Sequence, residues 1–407
     1  MPLRYRADHA KAFVAVRSWN YRSGIMDRSI RENEVASLGI GIIGCGKATQ
    51  ALHLPSLMQL PGEFRIAAVC DASAHIARGV AERWAVAHWT TEVSQLLSRP
   101  DVDAVLVSNP NRFHVATAIA ALRSGKHVLI EKPAAMSIPE LDELIAAQRA
   151  CGRIVQVGYM RRFAPGYRAA LGKMEAIGDI RVVRVHDLID AGLQLLSSTA
   201  DIIRDPAADA GSLNLNQDES ALIDRAIGQT WVPVANAYQL LLRLGCHDLS
   251  AMRGLIGRPR GVLHAAERWN GAYVNATFDY GDFICQFDVG LNIVSSSDAW
   301  IEVVGSRGTL TLEYQLPYVR HLPARLTTAI RDDRGDLVTE VHDSHGKDQF
   351  VLEWRDFHAN VRLGRRPENS LADAREDLEI AMDVIETLKA HRPTRQRPRT
   401  PAASAEP

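Results

Sequence analysis

The sequence predicts an α/β protein: a Rossmann-type doubly wound parallel sheet, then an α+β region with a large, mostly antiparallel open sheet. Three observations carry this reading. Between Leu38 and Val157, short continuous apolar runs alternate with helical stretches of about 10–15 residues. A glycine-rich turn follows the first run. After Gly158 the alternation gives way to period-2 runs separated by turn residues.

The predicted strands of the first region are Leu38–Ile43, Phe64–Cys70, Asp103–Val107, His127–Ile130 and Ile154–Val157. Their near-continuous apolar character fits strands covered on both faces. The predicted helices between them are Thr49–Leu60, Ser73–Trp84, His114–Ser124 and Ile138–Ala150, the last stopped by Cys151-Gly152. In the second region a long strand is expected at Ile180–Ile189. A polar, Asp-rich excursion follows over Ala191–Trp231, with a helix around Glu219–Ile227 and the character of a partial lid. Ala237–Ile256 has helical spacing. Period-2 runs come next at Val262–Trp269, Ala272–Tyr280, Phe283–Leu291, Trp300–Val304 and Thr309–Tyr314. The breaks at Tyr280-Gly281-Asp282 and Gly305-Ser306-Arg307-Gly308 suit hairpin turns. An amphipathic helix at Ser370–Ala390 closes the fold.

Composition bounds the function. The chain has 407 residues, enough for two domains at the usual ~100–200 residues each. Hydrophobic residues make up 46% and charged residues 23%, an ordinary globular balance that excludes a disordered or fibrous chain. Lys plus Arg number 47 against 48 Asp plus Glu, so nothing global points to nucleic acid. No apolar run approaches the ~18–20 residues a bilayer span needs, and no membrane partner is expected. The five cysteines (Cys45, Cys70, Cys151, Cys246, Cys285) form no C-x-x-C pair, so neither a metal site nor a disulfide framework is expected, and a cytoplasmic location fits. Residues 1–37 read as an irregular extension without a secretory h-region, or as an over-long start with Met26 the true beginning. The expected divisions are a nucleotide domain over 38–157, a second domain over 158–391 and a solvated tail over 392–407.

The chemistry begins at Gly44-Cys45-Gly46-Lys47-Ala48-Thr49, which follows a strand and opens a helix. That is the context a dinucleotide fingerprint requires. Gly44 makes the tight turn, and Gly46 lets a diphosphate approach the backbone at a helix N-terminus beside Lys47 and Ala48. Thr49 replaces the third glycine. Asp71 ends the second strand, where a carboxylate accepts from ribose hydroxyls and repels a 2′-phosphate; the reading is NAD, with NADP open.

Further motifs end the later strands: Ser108-Asn109-Pro110-Asn111-Arg112-Phe113-His114, Glu131-Lys132-Pro133 and Gly158-Tyr159-Met160-Arg161-Arg162-Phe163. With Gly41–Gly46 and His53-Leu54-Pro55, they resemble the glucose–fructose oxidoreductase / inositol dehydrogenase / rhizopine-catabolism (Gfo/Idh/MocA) family over about Leu38–Ala390, most strongly over 39–165. The resemblance implies NAD(P)-linked oxidation or reduction of a hydroxyl or carbonyl on a sugar, cyclitol or related compound. It also implies a second domain whose open sheet mediates a homodimer or homotetramer. Ser108, Asn109, Pro110, His114, Glu131 and Lys132 are the candidate cofactor contacts, at the carboxyl edge where ligands of such sheets bind. Lys132, on a rigid turn between an acid and a proline, is the candidate donor to the substrate oxygen.

The resemblance places a catalytic histidine at His247, but where the family has an Asp four residues earlier, on the same helical face, this chain has Arg243. Lys132 and His247 are therefore the expected working pair, with histidine suited to take a hydroxyl proton near neutral pH. Asp248 emerges ~100° round the helix and is not expected to orient the imidazole. Tyr159, Arg162, His186 and Arg243 are candidate substrate contacts; His53 is given no chemical role. Two other readings stay open at this point: a non-catalytic dinucleotide-binding regulator, suggested by Arg243, and an enzyme using tightly bound NAD for elimination, isomerisation or glycoside cleavage.

Overall fold

A computed structural model describes residues 37–190, 201–206, 219–292, 298–315, 319–322, 324–343 and 348–390. The extension before Ser37, the tail and much of the Asp-rich excursion lie outside these residues.

The first sheet contains β1 (Leu38–Ile43), β2 (Phe64–Cys70), β3 (Trp89–Thr90), β4 (Ala104–Val107), β5 (His127–Ile130) and β6 (Val155–Val157). They are parallel in the order β3-β2-β1-β4-β5-β6, the doubly wound order that reverses at β1/β4. Every residue of β1, β4 and β6 is buried, as expected for strands covered on both faces. The helices Ala74–Arg83, His114–Arg123 and Ile138–Cys151 lie within a residue or two of their predicted bounds. Ser73 and Ser137 cap two of them, and Gly152, at φ 63°, ends the third in the left-handed conformation. The single helix expected over Thr49–Leu60 is instead a π-helical turn, Thr49–His53, followed by the short helix Leu54–Leu57.

The second sheet has eight strands. In chain order they are β7 (Ile180–Asp190), β8 (Gly261–Arg268), β9 (Tyr273–Asp279), β10 (Ile284–Asn292), β11 (Asp298–Gly305), β12 (Gly308–Tyr314), β13 (Arg325–Arg331) and β14 (Leu337–His342). The spatial order is β14-β13-β12-β11-β7-β10-β9-β8, antiparallel except for β7 against β10. Strands β13 and β14 escaped sequence reading. All residues of β14 are exposed or half-buried, so it lacks the alternation that marks a strand with one buried face. Elsewhere the alternation is clear: Ala299, Ile301 and Val303 of β11 turn to the helical layer, while their neighbours face outward.

Helices Pro165–Lys173 and Gln349–Leu363 were likewise not read from the sequence. The second corrects the domain division. Its Val351, Trp354 and Phe357 join Leu57, Phe64 and Leu129 in the core beneath the first sheet, so the boundary at 158 separates the two sheets but not their cores. This helix also buries Glu353, and neither carboxyl oxygen has a hydrogen-bond partner among the described residues. Burial, then the charges of Glu131, Asp356 and Asp348, push this carboxyl well above the usual range. A carboxyl raised on folding favours the native state at low pH and loses that contribution as pH rises past its unfolded value. Glu353→Gln is therefore expected to gain melting temperature relative to the parent as pH is raised from 5 to 8. Parallel curves for the two proteins would show that the carboxyl is paired.

Candidate active site

The glycine turn is built for close backbone approach. Gly44 has φ 95°, and a Cβ there would stand 2.4 Å from the Asn109 nitrogen, so the β1 and β4 ends meet through it. A Cβ at Gly46 would meet nothing within 4 Å, leaving open space at the point where a diphosphate approaches. Lys47 and Ala48 follow, half-buried. Thr49 closes the turn in place of a glycine: its hydroxyl donates to the Gly44 carbonyl at 2.6 Å and lies 3.1 Å from Ser108 Oγ. Asp71 accepts from the Cys45 N–H at 2.8 Å and the Ser73 N–H at 2.9 Å, tying the β2 end to the glycine turn. These residues fit a dinucleotide diphosphate and ribose.

The β4 and β5 ends supply the next layer. Asn109 Nδ2 donates to Thr117 Oγ1 at 2.9 Å, while its buried Oδ1 has no partner among the described residues. Pro110 is exposed and Ser108 half-buried on the same edge. His114 does not face the open edge. It is buried, with Nδ1 2.7 Å from the Pro133 carbonyl and Nε2 2.8 Å from the Asn109 carbonyl, so it braces the cradle from behind. Burial lowers its pKa against the pull of both carbonyls.

Glu131 is held by a residue to which the sequence assigned no chemistry. His53 Nε2 lies 2.7 Å from Glu131 Oε1, and the Trp354 indole N–H donates to His53 Nδ1 at 3.2 Å. An indole nitrogen only donates, so Nδ1 is the acceptor and Nε2 carries the proton to Glu131. The other Glu131 oxygen accepts from the Lys132 N–H at 3.1 Å. Burial alone would raise this carboxyl; the His53 hydrogen bond and the charge of Lys132 hold it below the usual range. The Lys132–Pro133 peptide is cis.

The second lobe meets this edge through one helical column. Val232–Leu240 leads into a π-helical turn, Leu241–Gly245, and then the helix Cys246–Ile256. The widened turn disturbs the regular ladder, and there the Arg243 carbonyl accepts from Lys132 Nζ at 2.5 Å. His247 follows on the same column, buried, with Nδ1 lacking a partner among the described residues. Burial, then the positive charges of Lys132 and Arg161, holds its pKa well below the ordinary value. The imidazole is therefore neutral at neutral pH and able to accept a proton. The Arg243 side chain, half exposed, turns to the Glu219 carboxylate at the start of the helix over 219–227.

Three expected substrate contacts have other partners. Arg162 is buried and pairs with Asp373 at 2.7 Å and Glu368 at 2.8 Å, so it anchors the start of helix Leu371–Ala390. His186 emerges on the open face of the second sheet, stacked on Trp300 at 5.2 Å with Asp298 at 3.3 Å. Strand alternation sends its neighbour Asp187 to the helical side instead. Tyr159 is buried with its ring edge toward His247, 6.5 Å between centroids, and forms the wall behind the imidazole. Sequence reasoning missed the buried cluster that fixes the His247 helix. Arg161 donates to Asp187 at 2.8 Å and to Asp248, with its guanidinium over the Tyr314 ring at 4.8 Å. Burial, then Asp187 against the pull of Arg161, pushes the Asp248 carboxyl up, so the cluster sets a guanidinium beside an acid that favours its neutral form. The polar residues Asp187 and Asp248 at apolar-register positions were the available signal. All five cysteines are free thiols, and no group of His, Cys, Asp and Glu among the described residues could hold a metal.

Residues 38–159 match the family described as oxidoreductase family, NAD-binding Rossmann fold. The inositol 2-dehydrogenase/D-chiro-inositol 3-dehydrogenase of Shouchella clausii (strain KSM-K16) is 37% identical over 287 residues, 69% of this chain and 73% of that protein. The chain belongs to the Gfo/Idh/MocA oxidoreductase family. The uncharacterized oxidoreductase YrbE of Bacillus subtilis (strain 168) is 33% identical over 128 residues, which span 31% of this chain and only 37% of YrbE. A solved levoglucosan dehydrogenase, in complex with NADH and levoglucosan, shares the fold with a TM-score of 0.68 at 18% identity, covering 87% of this chain and 98% of that one.

The His53–Glu131 contact yields a direct test. His53→Leu strands a buried carboxylate and the Trp354 indole N–H, each costing about 1–3 kcal/mol or more. A melting temperature several degrees lower is expected; an unchanged one would show that His53 does not hold the Glu131 turn.

Proposed function

We propose that the chain is an NAD-dependent dehydrogenase or reductase acting on a hydroxyl or carbonyl carbon of a sugar, cyclitol or related polyol. The observation that carries this reading is the meeting of Lys132 with the His247 column at the carboxyl edge of a dinucleotide-type sheet. The glycine turn, Asp71, Ser108 and Asn109 hold the dinucleotide, which when bound supplies the hydride acceptor or donor. Lys132 Nζ, now on the Arg243 carbonyl, exchanges that acceptor for the substrate oxygen and polarises it. His247 takes the hydroxyl proton in oxidation and returns it in reduction. His53 and Glu131 position Lys132; the Arg161 cluster positions His247. The named activities of the inositol dehydrogenases support the substrate class.

No helix among the described residues is long and apolar enough to cross a membrane, and the proposed location is the cytoplasm. The proposed assembly is a homodimer or homotetramer through the open face of the second sheet, where His186 and Trp300 stack. Trp300→Glu is expected to yield a smaller species by size-exclusion chromatography with light scattering, against an unchanged size if that face is free.

Lys132→Ala and His247→Asn are expected to lower kcat by about 10²–10⁴ while leaving NAD affinity nearly intact. A histidine with a lowered pKa stays unprotonated below the ordinary value of about 6.5. The parent's acid limb in polyol oxidation should therefore fall below pH 6.5. Normal turnover by both variants on a panel of sugars, cyclitols and their keto forms would remove the assignment.

A further inference from the structure

Residues 201–206 lie across the nucleotide lobe, beside the glycine turn. Gln50 Oε1 accepts from the Ile203 N–H at 2.8 Å, and Gln50 Nε2 donates to the Ile203 carbonyl at 3.0 Å. The same amide nitrogen donates to the Cys45 carbonyl at 2.7 Å, so the segment is tied to the turn itself. Arg83 clasps the other end, donating to the Asp201 carbonyl at 2.5 Å and pairing with its carboxylate at 2.9 Å. Ile203 packs against the backbone of Gly79, where a Cβ would come within 3.2 Å of it.

This placement brings Asp205 beside Asp71. Ser73 joins them: its N–H donates to Asp71 at 2.9 Å, and its hydroxyl donates to Asp205 Oδ2 at 2.5 Å. Ser73 is also the cap of the helix Ala74–Arg83. A phosphate on the ribose 2′ position, next to Asp71, is an anion directed at this helix start and its cap hydroxyl. The Asp205 carboxylate already holds that hydroxyl. Arg204, the cation next along, is exposed.

We propose that Asp205 is a second specificity carboxylate of the dinucleotide site, carried to it by this segment, and that with Asp71 it rejects the 2′-phosphate of NADP while admitting NAD. The proposal rests on the reading that this chain binds a nicotinamide dinucleotide. Repulsion between Asp205 and the phosphate acts only on NADP, because NAD has a hydroxyl at that position.

The test is calorimetric titration of the full chain with NAD and, separately, NADP, at low salt where exposed charges are least screened. The parent is expected to bind NAD at least tenfold more tightly than NADP. Asp205→Asn keeps an acceptor for Ser73 and removes the charge. It is expected to tighten NADP about tenfold, a change of ~1.4 kcal/mol, and to leave NAD within twofold. Arg83→Ala, which releases the segment without touching Asp205, should move NADP in the same direction. It carries the test if Asp205→Asn does not fold, as judged by circular dichroism. Unchanged NADP affinity in a folded variant that still binds NAD overturns the proposal. So does a parent that prefers NADP, or an Arg204→Ala variant that alone loses NADP affinity. Binding of neither dinucleotide by the parent removes the underlying reading as well, and is distinguishable because NAD itself then gives no heat.

Discussion

One hydrogen bond joins the two halves of the proposed chemistry: Lys132 Nζ to the Arg243 carbonyl. The lysine comes from the carboxyl edge of the parallel sheet, and the carbonyl from the helical column that carries His247. Each end of the bond is fixed from behind. Glu131, locked by His53 and Trp354, sets the start of the Lys132 turn. Arg161, bridging Asp187 and Asp248, sets the His247 helix against β7.

Buried charge is used sparingly and in pairs around this bond. Glu131 keeps its charge because His53 and Lys132 compensate its burial. His247 sits between two cations and gives up its proton. Asp248, next to Asp187, favours its neutral form. Burial acts on all of these groups, and their neighbours decide in which direction each is shifted. Glu353, buried among the charges of Glu131, Asp356 and Asp348, is pushed up as well.

The Arg243 position departs from the motif. Arginine there removes the carboxylate that the family resemblance implies. The Glu219 carboxylate approaches Arg243 from another segment. Thr49 is a parallel case: it lacks the freedom of a third glycine, but its hydroxyl turns inward and fastens the loop that glycine would leave loose. There the local pattern departs while the hydrogen bond is supplied by a side chain.

The parallel sheet, the glycine turn and the strand-end positions of Asp71, Glu131 and Lys132 were legible in the sequence, because each is a local signal: an apolar run, a turn that needs glycine, or a residue at a strand end; His247 was marked only by the family resemblance. The sequence also determined most of the second sheet, wherever one face is buried and the pattern alternates. The tertiary structure alone set which face of β7 meets the helix that carries His247, sending Asp187 inward and His186 outward on a strand whose two faces the sequence does not label. The fold alone also reassigned Arg162 to an anchor, gave His53 its hold on Glu131 from 78 positions away, and laid Asp205 beside Ser73, 132 positions distant. Such pairings are made by packing between segments far apart in the chain, and no local periodicity records them.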